Sequence, residues 1–159
     1  RHFDHLHPNL QWNKWVVPYA FRASGRYRVW IDFTRDMIQH LVDFDAAVSG
    51  QPEAEEPDRL QGLRVKMERQ GNTLQFSVFD QSGQPAQITE TFLGAAAHLV
   101  VIDETLDDFS HAHDDRMNED NILTFIPLFS KSGFHKAWLQ FSFDGKDRVA
   151  SFSLPAEET

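Results

Sequence analysis

Two alternating segments constrain the fold of this chain more than any other feature of its sequence. One is YRVWIDF, residues 27–33, and the other is HKAWLQFSF, residues 135–143. Within each segment every second residue is apolar, apart from His135 at the start of the second. Side chains of a β-strand alternate between its two faces, so this spacing collects the apolar residues on one face. Both segments are therefore predicted to be half-buried strands.

These strands lie inside longer blocks that match each other in order. The block FRASGRYRVWIDFTRD (21–36) matches FSKSGFHKAWLQFSFD (129–144), and farther upstream FDHLHP (3–8) matches FSHAHD (109–114). The paired positions of the longer block are Phe21/Phe129, Gly25/Gly133, Trp30/Trp138 and Phe33/Phe141. So many ordered matches predict an internal repeat of two related units.

The rest of the chain also favours short strands. They are predicted at 15–21, 39–46, 63–68, 73–79, 98–103, 121–127 and 147–154. Turn sequences rich in Gly, Ser, Asn and Asp separate them. Only the segment TETFLGAAAH, residues 89–98, suggests a short turn of helix. Strands with regular turns predict an all-β fold, an antiparallel β-sandwich of cupredoxin-like or immunoglobulin-like type.

Three regions are expected along the chain. Residues 63–159 have room for a complete β-sandwich domain, whereas residues 1–48 supply about four strands and form a partial repeat unit. Residues 49–62 are rich in Pro, Gly and acidic residues and are predicted to be a linker. A sandwich needs two sheets that cover each other, so the first unit is expected either to come from a longer precursor or to pack on the second domain. We expect that a signal peptide and further upstream residues were removed before Arg1.

Composition excludes several functions. A net charge of −9 without a basic patch argues against nucleic acid and against anionic membranes, and no apolar run is long enough to span a bilayer. The absence of cysteine excludes thiolate zinc sites, iron–sulfur clusters and type 1 copper centres. No nucleophile elbow, phosphate loop or dinucleotide fingerprint is present, which predicts a protein that is not an enzyme.

The motif FSHAHD carries the candidate site. In a strand His111 and His113 project to the same side, where two imidazoles can chelate Zn, Cu or Ni. His98 opens the apolar segment HLVVID and is a candidate third ligand from an adjacent strand. Met117 is a further candidate, because a thioether favours Cu(I). Copper is the first choice of metal and zinc the second.

The first copy offers a second candidate metal site. His5 and His7 have the same spacing as the pair in FSHAHD, but the sequence shows no counterpart of His98 there, so this site is expected to be incomplete.

The same histidines are compatible with two alternatives. A mononuclear metal enzyme of the cupin kind also begins with His-x-His, but it needs a Glu four or five residues later, where this chain has Met117 and Asn118. Histidines in loops are commonly solvated, and His98 could be a core residue bonded to a backbone carbonyl. The alternative function is therefore an adhesion or assembly module whose histidines are structural. The chain is also expected to bind a protein partner, or to form a homo-oligomer, through its N-terminal half-unit.

The segment FLGAAAHLVVIDETLDDFSHAHDD, followed by SGFHKAWLQFSFDG, resembles a group of exported bacterial proteins with a cupredoxin-like or immunoglobulin-like fold. They carry a Leu-Gly-Ala turn, an AHLVV strand and a His-x-His-Pro motif, and are associated with copper or heavy-metal handling. FDHLHPNL with SGRYRVWIDF is similar to the same pattern. The resemblance implies metal ligation by His98, His111 and His113, and by His5 and His7 in the first copy. It also implies a periplasmic or extracellular protein that sequesters or delivers a metal ion.

Overall fold

A computed structural model describes residues 3–50, 58–114 and 121–156. The chain divides into two compact units, Arg1–Pro57 and Asp58–Thr159. Within the described residues the structure is all-β, as predicted, and every strand pairing is antiparallel. The strands are β1 (Asn9–Gln11), β2 (Lys14–Val16), β3 (Gly25–Arg35), β4 (Ile38–Val48), β5 (Arg64–Gln70), β6 (Thr73–Phe79), β7 (Ala97–Asp103), β8 (Phe109–Asp114), β9 (Ile122–Phe125), β10 (Gly133–Phe143) and β11 (Lys146–Ala156).

Most predicted strands are confirmed, and two expectations are wrong. The strand expected at 15–21 ends at Val16, because Pro18 has no N–H to donate to a strand ladder. The helical turn expected at 89–98 is a tight turn in which Phe92 and Ala95 exchange backbone hydrogen bonds of 2.8 and 3.2 Å. Gly94 has a φ of +94° in that turn, which a right-handed helix does not allow.

The second unit is a two-layer sandwich. One sheet has the strand order β5-β6-β9 and the other has the order β11-β10-β7-β8. The inner faces of the two sheets enclose a continuous apolar core that includes Leu139, Phe141, Val101, Leu99 and Phe125, all nearly inaccessible to water. Burying a side chain of this size contributes roughly 1.5–3 kcal/mol relative to leaving it exposed. Residues 58–62 belong to this unit, because Leu60 packs on the core.

Strand alternation decides which side chains of β7 and β8 lie outside this core. Leu99 of β7 and Ala112 of β8 are directly opposite each other and both face the core. Side chains alternate along a strand, so His98, His111 and His113 project from the opposite face of the same strand pair. The fold therefore collects these histidines on one surface of a rigid sheet.

The first unit contains a long antiparallel hairpin. Its β3–β4 hairpin has eleven residues in each strand and turns through Asp36 and Met37, both with positive φ. The β10–β11 hairpin of the second unit has the same strand lengths and register, and turns through Asp144 and Gly145, again with positive φ. Positive φ at both turn residues is typical of the type I′ turn that matches the twist of hairpin strands.

One expectation for this hairpin is wrong. The strand at 27–33 is present. Its alternating apolar residues were expected to face a core, but the large side chains near the turn are exposed to solvent. Ile31 and Phe33 are 48% and 43% exposed. Upstream, residues 3–8 are not in a strand, whereas the matching residues 109–114 form β8.

Candidate metal centre

Three histidine rings meet on the outer face of β7 and β8. The strand register places His98 directly opposite His113, and His111 lies two residues along β8 on the same face. The centroid of the His98 ring is 4.4 Å from that of His113 and 5.4 Å from that of His111, and the His111 and His113 centroids are 4.6 Å apart. Each ring therefore contacts the other two.

The ring nitrogens are spaced as ligands of one ion would be. His98 Nδ1 lies 3.1 Å from His111 Nε2, and His113 Nε2 lies 3.2 Å from the same His111 atom. Two nitrogens bound to one ion at 2.0–2.1 Å with a tetrahedral angle are about 3.3 Å apart. Small shifts of these side chains would thus let one ion contact both nitrogens of either pair, so the His98–His111 pair and the His111–His113 pair each fit a metal ion.

A backbone carbonyl determines which ring nitrogen of His98 carries the proton. Its Nε2 lies 2.9 Å from the carbonyl oxygen of Phe92, and the His98 side chain is almost completely buried. A carbonyl oxygen can only accept a hydrogen bond, so Nε2 carries the proton and donates it. Nδ1 then has a lone pair, and this lone pair faces His111 Nε2. Metal-bound histidines show this arrangement, in which the second nitrogen donates to a carbonyl or carboxylate.

The turn before β7 presents this carbonyl. Phe92 and Ala95 close it, and Leu93 and Gly94 adopt positive φ values of +50° and +94° between them. The Phe92 ring also packs edge-on against the His98 ring, with centroids 5.5 Å apart. The site therefore has a buried side at His98 and an open side at His113, which is exposed to solvent.

Asp114 holds the end of β8 beside the histidines. Its carboxylate accepts a hydrogen bond of 2.7 Å from the Thr124 N–H, and its backbone oxygen accepts one of 2.9 Å from the Ala96 N–H. Asp114 is 2% exposed. Its carboxylate thus ties β8 to β9 and fixes the strand that carries His111 and His113.

The loop between β7 and β8 is organised by Asp103. This side chain accepts hydrogen bonds from the backbone N–H groups of Thr105, Asp107 and Asp108, and from the Thr105 hydroxyl. Burial alone would raise the pKa of the Asp103 carboxyl. The hydrogen bonds from Thr105, Asp108 and Asp107 together outweigh burial and lower the pKa from 3.8 to about 2.

Asp108 anchors the same loop to the segment that leads into β10. Its carboxylate accepts hydrogen bonds from the N–H groups of Ser130 and Lys131, and it lies 3.3 Å from His135 Nε2. Burial acts to raise the pKa of Asp108, but the hydrogen bonds from Ser130, His135 and Lys131 lower it. His135 is buried on the core side, where its ring packs against Phe129.

The other predicted ligands, His5, His7 and Met117, belong to segments outside β7 and β8. His5 and His7 lie in the first unit, outside the strands, with ring centroids 5.4 Å apart and nearly perpendicular rings. Met117 lies at 115–120, outside the described residues. The sequence alternative in which His98 bonds a backbone carbonyl is present in the structure, but sequence reasoning did not identify Phe92 as the residue that supplies it. It also missed the two loop anchors, Asp103 and Asp108. The spacing of Asp103 and Thr105 was a usable signal, because Asp commonly bonds the backbone two residues ahead.

Fold and site define an all-β protein whose second unit is an antiparallel sandwich with a histidine cluster on one sheet. The chain belongs to the family described as Domain of unknown function (DUF8832), whose model matches residues 59–158. No curated protein and no solved structure matches the chain. Among the described residues, no helix has the length and apolar character needed to cross a bilayer.

Proposed function

We propose that this chain is an exported, non-enzymatic protein that binds a transition metal ion through His98, His111 and His113. Copper is the first choice of ion and zinc the second, and the function is sequestration or delivery of that ion. The observation that carries the proposal is the grouping of the three imidazoles, in which His98 Nε2 donates to the Phe92 carbonyl and an unprotonated Nδ1 faces His111 Nε2.

The ligand chemistry supports copper or zinc over harder ions. Neutral imidazole suits Cu, Zn and Ni, whereas Ca and Mg take oxygen ligands. Three protein ligands leave a coordination position open. The exposed side chain of His113 lies on the open side of the cluster, where a cargo ion could enter and leave. An open position on the solvent side suits transfer of an ion to another molecule.

The remaining parts of the proposal rest on sequence. Met117 is a candidate for the open position, where its thioether would favour Cu(I). His5 and His7 form a second, incomplete site. Export to the periplasm or the extracellular space follows from the resemblance, and so does the cupredoxin-like or immunoglobulin-like subtype of the sandwich.

The competing function is an assembly module with structural histidines. One observation favours it: the β3–β4 hairpin exposes large apolar side chains, among them Ile31 and Phe44 at 48% and 49%. In that case His111 Nε2–H donates to His98 Nδ1, and the cluster merely joins two strands.

Calorimetric titration of tag-free protein separates these functions. Wild type and the triple variant His98→Ala/His111→Ala/His113→Ala are titrated with Cu(I) under anaerobic conditions, with Cu(II) and with Zn(II). We expect one ion per chain for wild type and no site of comparable affinity in the triple variant. His40→Ala is the matched control, because His40 is exposed and lies in the first unit. Equal binding by wild type and the triple variant, or binding by neither, would contradict the metal proposal.

A further inference from the structure

The β3–β4 hairpin has one apolar face and one charged face. Its register sets Ile31 opposite Val42 and Val29 opposite Phe44, so these side chains share a side. We define the apolar hairpin face by the residues Tyr27, Val29, Ile31, Phe33, Val42, Phe44 and Ala46. Such a face is what a sheet presents to the core of a sandwich.

The matching hairpin of the second unit uses this face as its core. Counting 108 residues on from the apolar hairpin face gives His135, Ala137, Leu139, Phe141, Ala150, Phe152 and Leu154. All of these are buried or packed against the core of the second unit, where the β5-β6-β9 sheet lies opposite them. The apolar hairpin face therefore has the composition of a sandwich interior.

In the first unit this face is accessible to solvent. Ile31 and Phe33 are 48% and 43% exposed, and Val42 and Phe44 are 51% and 49% exposed. In the described residues 3–50, the only other strands are β1 and β2, which pair with each other.

The other face of the hairpin carries the charges. Arg28 Nη1 lies 2.8 Å from Asp43 and 3.3 Å from Asp45, and Arg26 contacts Asp45 at 3.5 Å. The residues that define the apolar hairpin face include no acid and no base. At the turn end of the same side His40 stacks on Phe33, and the next pair is Arg35 and Ile38, where Arg35 contacts Asp36 at 3.5 Å. A charged partner would lose its hydration on such a face without compensation. Its partner must be neutral and apolar, and a second copy of the same face meets this requirement.

The apolar hairpin face is large enough to form a weak dimer. Four large side chains, each about half exposed, together offer roughly 400 Å² per copy, since a buried aromatic side chain covers about 150–250 Å². Two copies would then bury roughly 800 Å² in total, which lies below stable specific interfaces and in the range of weak, transient ones. From this area and neutrality we propose that two copies associate about a twofold axis by packing their apolar hairpin faces together, as the two sheets of a sandwich do.

Sedimentation velocity over a range of protein concentrations tests this dimer, and EDTA in the buffer keeps the test independent of the histidine cluster. Wild type should sediment as a monomer–dimer mixture that shifts towards dimer as concentration rises. Ile31→Glu places two charges in the interface and should lower the association constant at least about tenfold. Leu41→Glu is the matched control, because Leu41 is also 48% exposed but faces the charged side of the hairpin. It should leave the association constant within about twofold of wild type.

The absence of cysteine permits a second test of the same contact. Single variants Ile31→Cys and Val42→Cys should form disulfide-linked dimers under mild oxidation, while Leu41→Cys should remain monomeric on a non-reducing gel. Circular dichroism confirms that each variant keeps its strands. A wild type that stays monomeric at every concentration overturns the proposal. So does an equal loss of association in Ile31→Glu and Leu41→Glu, or cross-linking of Leu41→Cys as efficient as that of Ile31→Cys.

Discussion

Asp103 should make the stability of the second unit depend on pH in the acidic range. Its carboxylate accepts three backbone N–H groups and the Thr105 hydroxyl, and these hydrogen bonds lower its pKa from 3.8 to about 2 against the opposing effect of burial. A depressed pKa means that the folded state binds this proton less readily than the unfolded state. The stabilisation is therefore complete above about pH 4 and is lost as the pH falls towards 2.

The size of this stabilisation follows from the pKa shift of Asp103. A change of one pKa unit corresponds to 1.36 kcal/mol, so the ionised carboxylate contributes about 2 kcal/mol near neutral pH. Asp103→Asn keeps the shape of the side chain but replaces an acceptor oxygen with an NH₂ group that faces N–H donors. We expect this variant to lose about 2 kcal/mol of the free energy of unfolding at pH 7.

Urea unfolding at pH 7, 4 and 2.5 measures this contribution. The difference between wild type and Asp103→Asn should be largest at pH 7 and should shrink by pH 2.5. Asp107→Asn is the control from the same loop, because the Asp107 side chain is 54% exposed and should change stability by less than about 0.5 kcal/mol. A variant as stable as wild type at pH 7, or a difference that does not change with pH, would refute this role of Asp103.

Two further predictions concern the core and the site. Leu139→Ala should lower the free energy of unfolding by about 2–5 kcal/mol, because Leu139 is fully buried. Leu41→Ala is the control at an exposed position and should change it by less than about 0.5 kcal/mol. Chemical denaturation measures both values. Gly94→Ala should weaken metal binding about tenfold or more in calorimetry, because alanine is strained at a φ of +94° and the turn presents the Phe92 carbonyl to His98. Gly71→Ala, also at positive φ but remote in sequence from this turn, is the control, and an equal loss of affinity in both variants would contradict the role of the turn.

The fold was largely predictable because half-buried β-strands show a regular alternation of apolar and polar residues in the sequence. Leu139 and Phe141 were assigned to the core from a period of two and are completely buried. The same rule gave the wrong burial for Ile31, because alternation defines an apolar face but does not say whether another sheet covers it. The run of alanines at 95–97 suggested a helix, but strand pairing draws Ala97 into β7 and overrides that propensity.

The site was predictable only in part, for a physical reason. The spacing of His111 and His113 implies that they share a face, and the apolar strand that begins at His98 made this residue a candidate third ligand. The tautomer of His98 is set by the hydrogen bond that its Nε2–H donates to the backbone carbonyl of Phe92. A backbone group carries no sequence signal, since every residue has one, and only the path of the chain through the turn brings it to the ring.

The response of the histidine ring nitrogens to zinc is the most direct test of the proposed metal centre. Long-range ¹H–¹⁵N NMR of the metal-free protein should show His98 protonated at Nε2, with Nδ1 unprotonated. On addition of one equivalent of Zn(II), the resonances of His98 Nδ1 and of one ring nitrogen each of His111 and His113 should shift together, and those of His40 and His135 should stay in place. A proton on His98 Nδ1, or spectra that do not change with zinc or with Cu(I), would contradict the proposed centre.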